Sequence, residues 1–342
     1  MQMKKIGIGL VGFGYWGPNL ARNFSAQQGC TLVGIYDLDA GQRQKAAARF
    51  PTALVTADYG ALLAREDIQA ICIATPVFTH FELAKRAILA GKDILIEKPI
   101  TRTVEEGREL VALAEARGRI LAVDHTFLYT GAVQKIKEVV SSGQIGDVLY
   151  LDCVRTNLGK FQEDINVIYD LAPHDLAIIN HLVDGEPTSV MAMGACHSGS
   201  GLENIAYLHL EYPGGVVAHC HLNWLAPVKI RKILIAGSQK MVVYDDMDAM
   251  DKVKVYDKGI TVVEDREAVL KLKVDYRSGD MWSPKVATRE ALDAEAQHFL
   301  ACVRDRHRPL CSGEDGLKVL RIIEAAQRSL ENGGERIFLQ PA

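Results

Sequence analysis

The chain predicts an α/β protein in which an N-terminal doubly wound parallel sheet is followed by an α+β domain with a large, open-faced, mostly antiparallel sheet. Three observations predict it. Through residue 124, short apolar strands alternate with helical segments of about 10 to 15 residues. At the first strand–helix junction stands Gly12-Phe13-Gly14-Tyr15-Trp16-Gly17. Beyond residue 124 the strand signals lengthen, alternate in polarity and follow one another across tight turns such as Tyr212-Pro213-Gly214-Gly215.

A strand is expected over 5–11, a helix over 18–25 with Pro18 in its first turn, a strand over 31–36 and a helix over 40–50. Helices at 57–65, 80–90 and 104–117 then alternate with strands at 70–74, 93–96 and 120–123. Strands joined by helical crossovers pair in parallel, so residues 1–124 form one domain. In the second domain, 125–342, strands are expected at 148–155, 189–193, 204–212, 216–225, 232–236, 241–245 and 253–257. Helices at 132–141, 170–183, 289–304 and 316–331 cover one face of that sheet, and 265–285 reads as a long loop. The other face needs a partner.

Composition excludes several functions. With 342 residues, 48% hydrophobic and 24% charged, the chain has the make-up of a two-domain globular protein. A net charge of -4 and a pI near 6.2, with no basic stripe interleaved with aromatics, argue against nucleic acid as a partner. The apolar runs are too short to span a bilayer and residues 1–5 lead straight into a strand, so no membrane partner and a cytoplasmic location are expected. Seven scattered cysteines without Cys-x-x-Cys spacing suit neither a disulfide framework nor structural zinc. His219 and His221 share one face of a strand, but no carboxylate partner is evident, and no metal is expected.

The glycine cluster carries the first chemistry. Gly12 allows the tight turn, Gly14 a close approach of backbone to a pyrophosphate, and Gly17 close helix packing; Tyr15 and Trp16 lie between them. Asp37 follows 20 residues after Gly17, at the end of the second strand, where a carboxylate accepts from both ribose hydroxyls and repels a 2′-phosphate. The cofactor is therefore NAD, in a Rossmann domain. Thr75 and Pro76 end the next strand where the chain passes the nicotinamide half, and His80 beyond them either caps a helix or touches the ligand. Glu97-Lys98-Pro99 follows Ile94-Leu95-Ile96 at the carboxyl end of a parallel strand, where such sheets hold ligands. Proline there aims Lys98 by the backbone.

A second constellation is Asp170-Leu171-Ala172-Pro173-His174-Asp175. At a spacing of four, Asp170 can accept from one ring nitrogen of His174 and leave the other free for a substrate hydroxyl. Pro173 fits only a first turn, so the pair is expected to straddle a helix start.

Together these five ordered motifs resemble the glucose-fructose oxidoreductase and inositol dehydrogenase family over essentially the whole chain. The resemblance implies a C-terminal open-faced sheet used for dimers or tetramers, a cis bond before Pro99, Lys98 in contact with nicotinamide and the reacting hydroxyl, and Asp170 with His174 as the catalytic pair. His125-Thr126-Phe127-Leu128-Tyr129, Val154-Arg155-Thr156-Asn157-Leu158-Gly159 and the segment from Trp224 to Arg231 resemble the branch acting on nucleotide-linked sugars. The reaction that branch implies is oxidation of UDP-N-acetylglucosamine at C3, giving a 3-keto sugar for a following aminotransferase in lipid A or surface-polysaccharide synthesis. Tyr129 would then face substrate, Arg155 and Lys160 could meet its diphosphate, and Asn157 a sugar hydroxyl or acetamido group. Either His174 or Lys98 takes the hydroxyl proton as hydride leaves. Alternatives are an inositol- or glucose-type dehydrogenase of the same fold, a non-catalytic NAD sensor, or a glycosidase using NAD transiently.

Overall fold

The computed structural model describes residues 5–159, 165–199, 201–262 and 274–340. They fall into two units, one holding residues up to Tyr129 together with Arg289–Arg321, the other Thr130–Thr288 and the chain from Ile322 onward.

The first unit runs β1 (Ile6–Val11), α1 (Gly17–Ala26), β2 (Cys30–Tyr36), α2 (Ala40–Arg49), β3 (Leu54–Thr56), α3 (Tyr59–Leu63), β4 (Ala70–Ile73), α4 (His80–Leu89), β5 (Asp93–Glu97), α5 (Val104–Ala116) and β6 (Leu121–Asp124). All its strands pair in parallel in the order β3-β2-β1-β4-β5-β6. The order reverses between β1 and β4, which opens a crevice at their carboxyl ends. β1 and β4 are buried at every position, as expected of strands covered on both faces. The three-residue edge strand β3 was not anticipated, because its length is below what an alternation pattern can signal.

In the second unit come α6 (Gly131–Ser141), β7 (Val148–Leu158), α7 (Val167–Leu182), β8 (Ser189–Ala195), β9 (Ile205–Glu211), β10 (Val217–Asn223), β11 (Leu225–Gly237), β12 (Met241–Asp245), β13 (Val253–Val262) and β14 (Val274–Trp282). The chain then gives α8 (Ala291–Asp305) to the first unit, α9 (Gly313–Glu331) to both, and β15 (Ile337–Phe338) to the second. Among the described residues the second sheet has nine strands, ordered β14-β13-β12-β11-β7-β10-β9-β8-β15, antiparallel except for β7 with β10. One face packs on α7 through residues such as Leu151, Cys153, Ala218, Cys220 and Leu222.

Three expectations are corrected. The segment 289–321 belongs with the first unit and not the second: α8 lays Leu292, Ala296, Phe299, Leu300 and Val303 into the same core as Leu20 and Phe24 of α1. Phe24 and Phe299 meet edge to face at 6.1 Å, and Arg22 pairs with Glu290 at 2.5 Å. Part of the expected loop 265–285 is the strand β14; 265–273 lie outside the described residues. Finally, α7 begins at Val167, capped by the Asn166 side chain accepting from Ile168 and Tyr169 amides, so Pro173 sits inside the helix. A strong cap one turn earlier outweighs the one backbone bond that proline removes.

Candidate active site

The glycine turn between β1 and α1 is a cradle shaped by close approaches. Gly12 has φ +94°, and a Cβ on it would lie 2.5 Å from the Ala74 carbonyl oxygen. A Cβ on Gly17 would meet the Gly12 carbonyl at 2.1 Å, which shows how tightly α1 sits on the turn. Above Gly14 nothing lies within 4 Å of that position, leaving space for a ligand against bare backbone. At the end of β2 the Asp37 carboxylate fastens the turn, Oδ2 accepting from Phe13 N at 2.6 Å and Oδ1 from Asp39 N at 2.8 Å. Its remaining lone pairs can take two ribose hydroxyls. A cavity of about 610 Å³ is lined by Gly12, Gly14, Asp37, Leu38, Thr75 and Pro76 among others. These residues fit the adenosine and pyrophosphate parts of NAD. Tyr15 and Trp16, by contrast, stand exposed at the tip of the turn, their rings edge to face at 5.5 Å, and do not line that cavity.

His80 has a different place from the one expected. It is 1% exposed, with Nδ1 2.9 Å from the Pro99 carbonyl and Nε2 2.9 Å from the Thr75 carbonyl. It is a strut between the ends of β4 and β5, not a lining residue of the cavity, and burial holds its pKa below the ordinary value. Thr75 itself bonds to the Thr79 hydroxyl at 2.7 Å. The strut braces the turn carrying Glu97, Lys98 and Pro99, whose Lys98–Pro99 bond is cis.

Beneath Lys98, Glu97 of the same turn is joined by Asp124 and Glu295, two acids that no local sequence pattern marks. Glu97 and Asp124 are register partners on β5 and β6, the Thr126 hydroxyl donates to Asp124, and Glu295 arrives from α8 with 1% exposure. Burial, then repulsion by Asp124, pushes Glu97 and Glu295 well above the usual carboxylate range. Next to them His125, also 1% exposed, is driven down to about 3 by burial and by the positive charge of Lys98. No motif signals this cluster, because α8 is far away in sequence. Tyr129 ends a short turn in the same unit with its ring 5.6 Å from that of His298.

In the second unit, Asp170 and His174 share one face of α7 at the expected spacing of four. Asp170 Oδ2 accepts from the indole Nε1 of Trp224 at 3.1 Å. Trp224 is 1% exposed, between β10 and β11, and a Cβ on Gly159 would come within 2.9 Å of its ring. Arg155 corrects another expectation. It is buried, with Nε and Nη2 donating to Asp175 Oδ2 and Oδ1 at 3.0 and 2.6 Å, so its fork is engaged by α7 and not offered to a diphosphate. Asn157, two residues on, shares the α7-facing side of β7 by strand alternation and is half-buried. Lys160 lies outside the described residues.

On the opposite face of the sheet, His219 and His221 do point the same way. His209 and His219 are 2.8 Å apart at Nδ1 and Nε2, His219 Nδ1 reaches Asp152 at 3.3 Å, and Tyr207 stacks on His221 at 4.6 Å. No helix among the described residues is long and apolar enough to cross a membrane.

Comparison with known proteins places this geometry. Residues 6–125 match the oxidoreductase family with NAD-binding Rossmann fold, and residues 133–243 match the GFO/IDH/MocA C-terminal domain. The chain is 30% identical over 317 residues to the UDP-N-acetylglucosamine 3-dehydrogenase of Acidithiobacillus ferrooxidans, covering 91% of this chain and 93% of that one. A solved structure of that species' UDP-N-acetylglucosamine 3-dehydrogenase GnnA superposes with a TM-score of 0.81 at 26% identity, over 96% of this chain and 99% of that one. An inositol 2-dehydrogenase of Gluconacetobacter diazotrophicus is 30% identical over 193 residues, 55% of this chain and 57% of its own length. The chain belongs to the Gfo/Idh/MocA family, as an NAD-dependent sugar-alcohol oxidoreductase.

Proposed function

We propose that the protein oxidises a hydroxyl of a nucleotide-linked sugar to a ketone, with C3 of UDP-N-acetylglucosamine as the substrate position. The observation that carries this reading is the 30% identity to a UDP-N-acetylglucosamine 3-dehydrogenase across nearly the whole of both chains. Bound NAD supplies the acceptor for the hydride. Removal of hydride leaves positive charge on carbon unless the hydroxyl proton departs, so the protein must supply a base. His174 or Lys98 takes that role; Asp170 balances an imidazolium at His174, and a protonated Lys98 stabilises alkoxide character. Asp170 can do so because Trp224 fixes its carboxylate. Asn157, on the α7 side of the sheet, contacts the sugar's hydroxyl or acetamido group. The product ketone suits a following aminotransferase of surface amino-sugar synthesis.

The test is absorbance at the NADH band with NAD and a panel of UDP-sugars, coupled to an aminotransferase and glutamate to drain the ketone. NADH formation with UDP-N-acetylglucosamine is expected. Turnover with free inositol alone would move the substrate to a polyol, the second reading, which the similarity to inositol 2-dehydrogenase favours. Lys98→Ala and His174→Ala should each lower kcat far more than NAD affinity. We also propose self-association through the open sheet face, where Met193 and Tyr207 are more than half exposed and border a cavity of about 660 Å³. Met193→Asp with Tyr207→Asp should yield monomers in sedimentation.

A further inference from the structure

The last two turns of α8, one turn on from Glu295, and His307 just beyond them gather three soft or borderline donors. His298 and Cys302 are four apart on the helix and share a face. The helix ends at Arg306, which has φ 55°, the only positive φ outside glycine among the described residues. This left-handed residue is held by its own side chain, Nη1 pairing with Asp93 at 2.6 Å and Nη2 donating to the Gly118 carbonyl at 2.5 Å. The reversal it makes brings His307 back over the helix. Cys302 Sγ lies 3.3 Å from His298 Nε2 and 3.3 Å from His307 Nε2, and all three atoms lie within 4.8 Å of one another.

We propose that His298, Cys302 and His307 form a zinc site, with two imidazoles, one thiolate and a fourth position open to solvent. Zinc sits about 2.3 Å from sulfur and about 2.0 Å from nitrogen, so a tetrahedral ion separates its S and N ligands by about 3.5 Å; the two S–N distances, 3.3 Å each, are nearly that. Cys302 is fully buried and His307 exposed, so an ion enters from the His307 side, where water completes the shell. His298 Nε2 accepts from the Leu310 amide at 2.9 Å, so Nε2 is the nitrogen that carries the lone pair, and an ion bound there displaces that amide. The ion takes over that lone pair, and the thiol proton passes to water on coordination. The alternative, a reactive thiol, fits poorly, since a cysteine without exposure offers no path to an electrophile. Bound zinc ties the end of α8 to the 307–312 segment, whose Cys311 carbonyl accepts from Val123 N of β6 at 3.0 Å.

The experiment titrates the reduced full-length protein with Zn²⁺ against a chromophoric chelator, and with Co²⁺ as a spectroscopic probe. One Zn²⁺ per chain is expected, together with a thiolate-to-cobalt charge-transfer band that disappears in Cys302→Ser. His307→Ala removes an exposed side chain, so it should keep wild-type NAD binding while weakening Zn²⁺ at least tenfold. Absence of stoichiometric Zn²⁺ binding, or wild-type affinity in His307→Ala, would overturn the proposal. So would a charge-transfer band that survives in Cys302→Ser, because the thiolate would then come from another cysteine.

Discussion

The indole of Trp224 donates to Asp170 Oδ2 across 3.1 Å, joining the strand β10–β11 junction to the first turns of α7. A hydrogen bond to a charged acceptor contributes about 1.5–3 kcal/mol. Trp224→Phe keeps most of the buried ring and removes only the donor. If Asp170 serves His174, kcat should fall by about 10- to 100-fold with NAD affinity unchanged. Steady-state kinetics and cofactor titration check this; a change confined to KM would place Asp170 outside the chemical step.

Arg155 and Asp175 form a bidentate pair, each with under a twentieth of its side chain exposed. Removing one partner leaves a buried uncompensated charge, at a cost of about 3–5 kcal/mol. Arg155→Met should therefore unfold at markedly lower denaturant, and Arg155→Met with Asp175→Leu should recover most of the loss. If the double variant recovered stability and yet lost UDP-sugar binding selectively, the pair would belong to the ligand site after all.

How far the sequence could be read follows from which residues are local. The cradle of Gly12, Gly14 and Gly17 with Asp37, the turn at Lys98 and the Asp170–His174 face were legible because each lies within one element or one strand–helix unit. Arg155 and His80 were misplaced for one shared reason. Their partners, Asp175 for the first and the carbonyls of Thr75 and Pro99 for the second, come from other elements, so an isolated charge or ring looked available for a ligand. The return of α8 to the first unit was hidden likewise, since an amphipathic helix states that it packs but not on what. Glu295 is the cost of that blindness: a surface-type residue in sequence, buried beside Asp124 in the fold.

Asp37 does two tasks, and they separate experimentally. Its oxygens already accept the Phe13 and Asp39 amides, so Asp37→Ala should loosen the turn as well as relax discrimination against NADP. Asp37→Asn retains an acceptor for one amide but no negative charge. It should raise NADP-linked relative to NAD-linked kcat/KM by about tenfold, one lost charge repulsion. Unchanged discrimination in Asp37→Asn would mean that the 2′-phosphate is excluded by shape.

The buried groups below Lys98 should give the protein a stability maximum between two opposed titrations. His125 has a folded value of about 3 against an ordinary 6.5, so below pH 6.5 the unfolded chain binds a proton that the native state refuses. Stability then falls by about 1.4 kcal/mol per pH unit down to about pH 3. Glu295 works in the other direction. Its folded value is raised, so its contribution is present below the unfolded carboxylate value and is lost as pH rises through the folded one. His125→Asn should flatten the acid limb of stability against pH, whereas Glu295→Gln should leave pH 5 nearly unchanged and raise Tm at pH 8. Melting curves of the two variants and the wild type across pH 4 to 9 test both signs at once. Should Glu295→Gln lower Tm at pH 8 by more than at pH 4, its carboxyl is ionised and paired in the folded protein, and the assignment of a neutral acid under Lys98 fails.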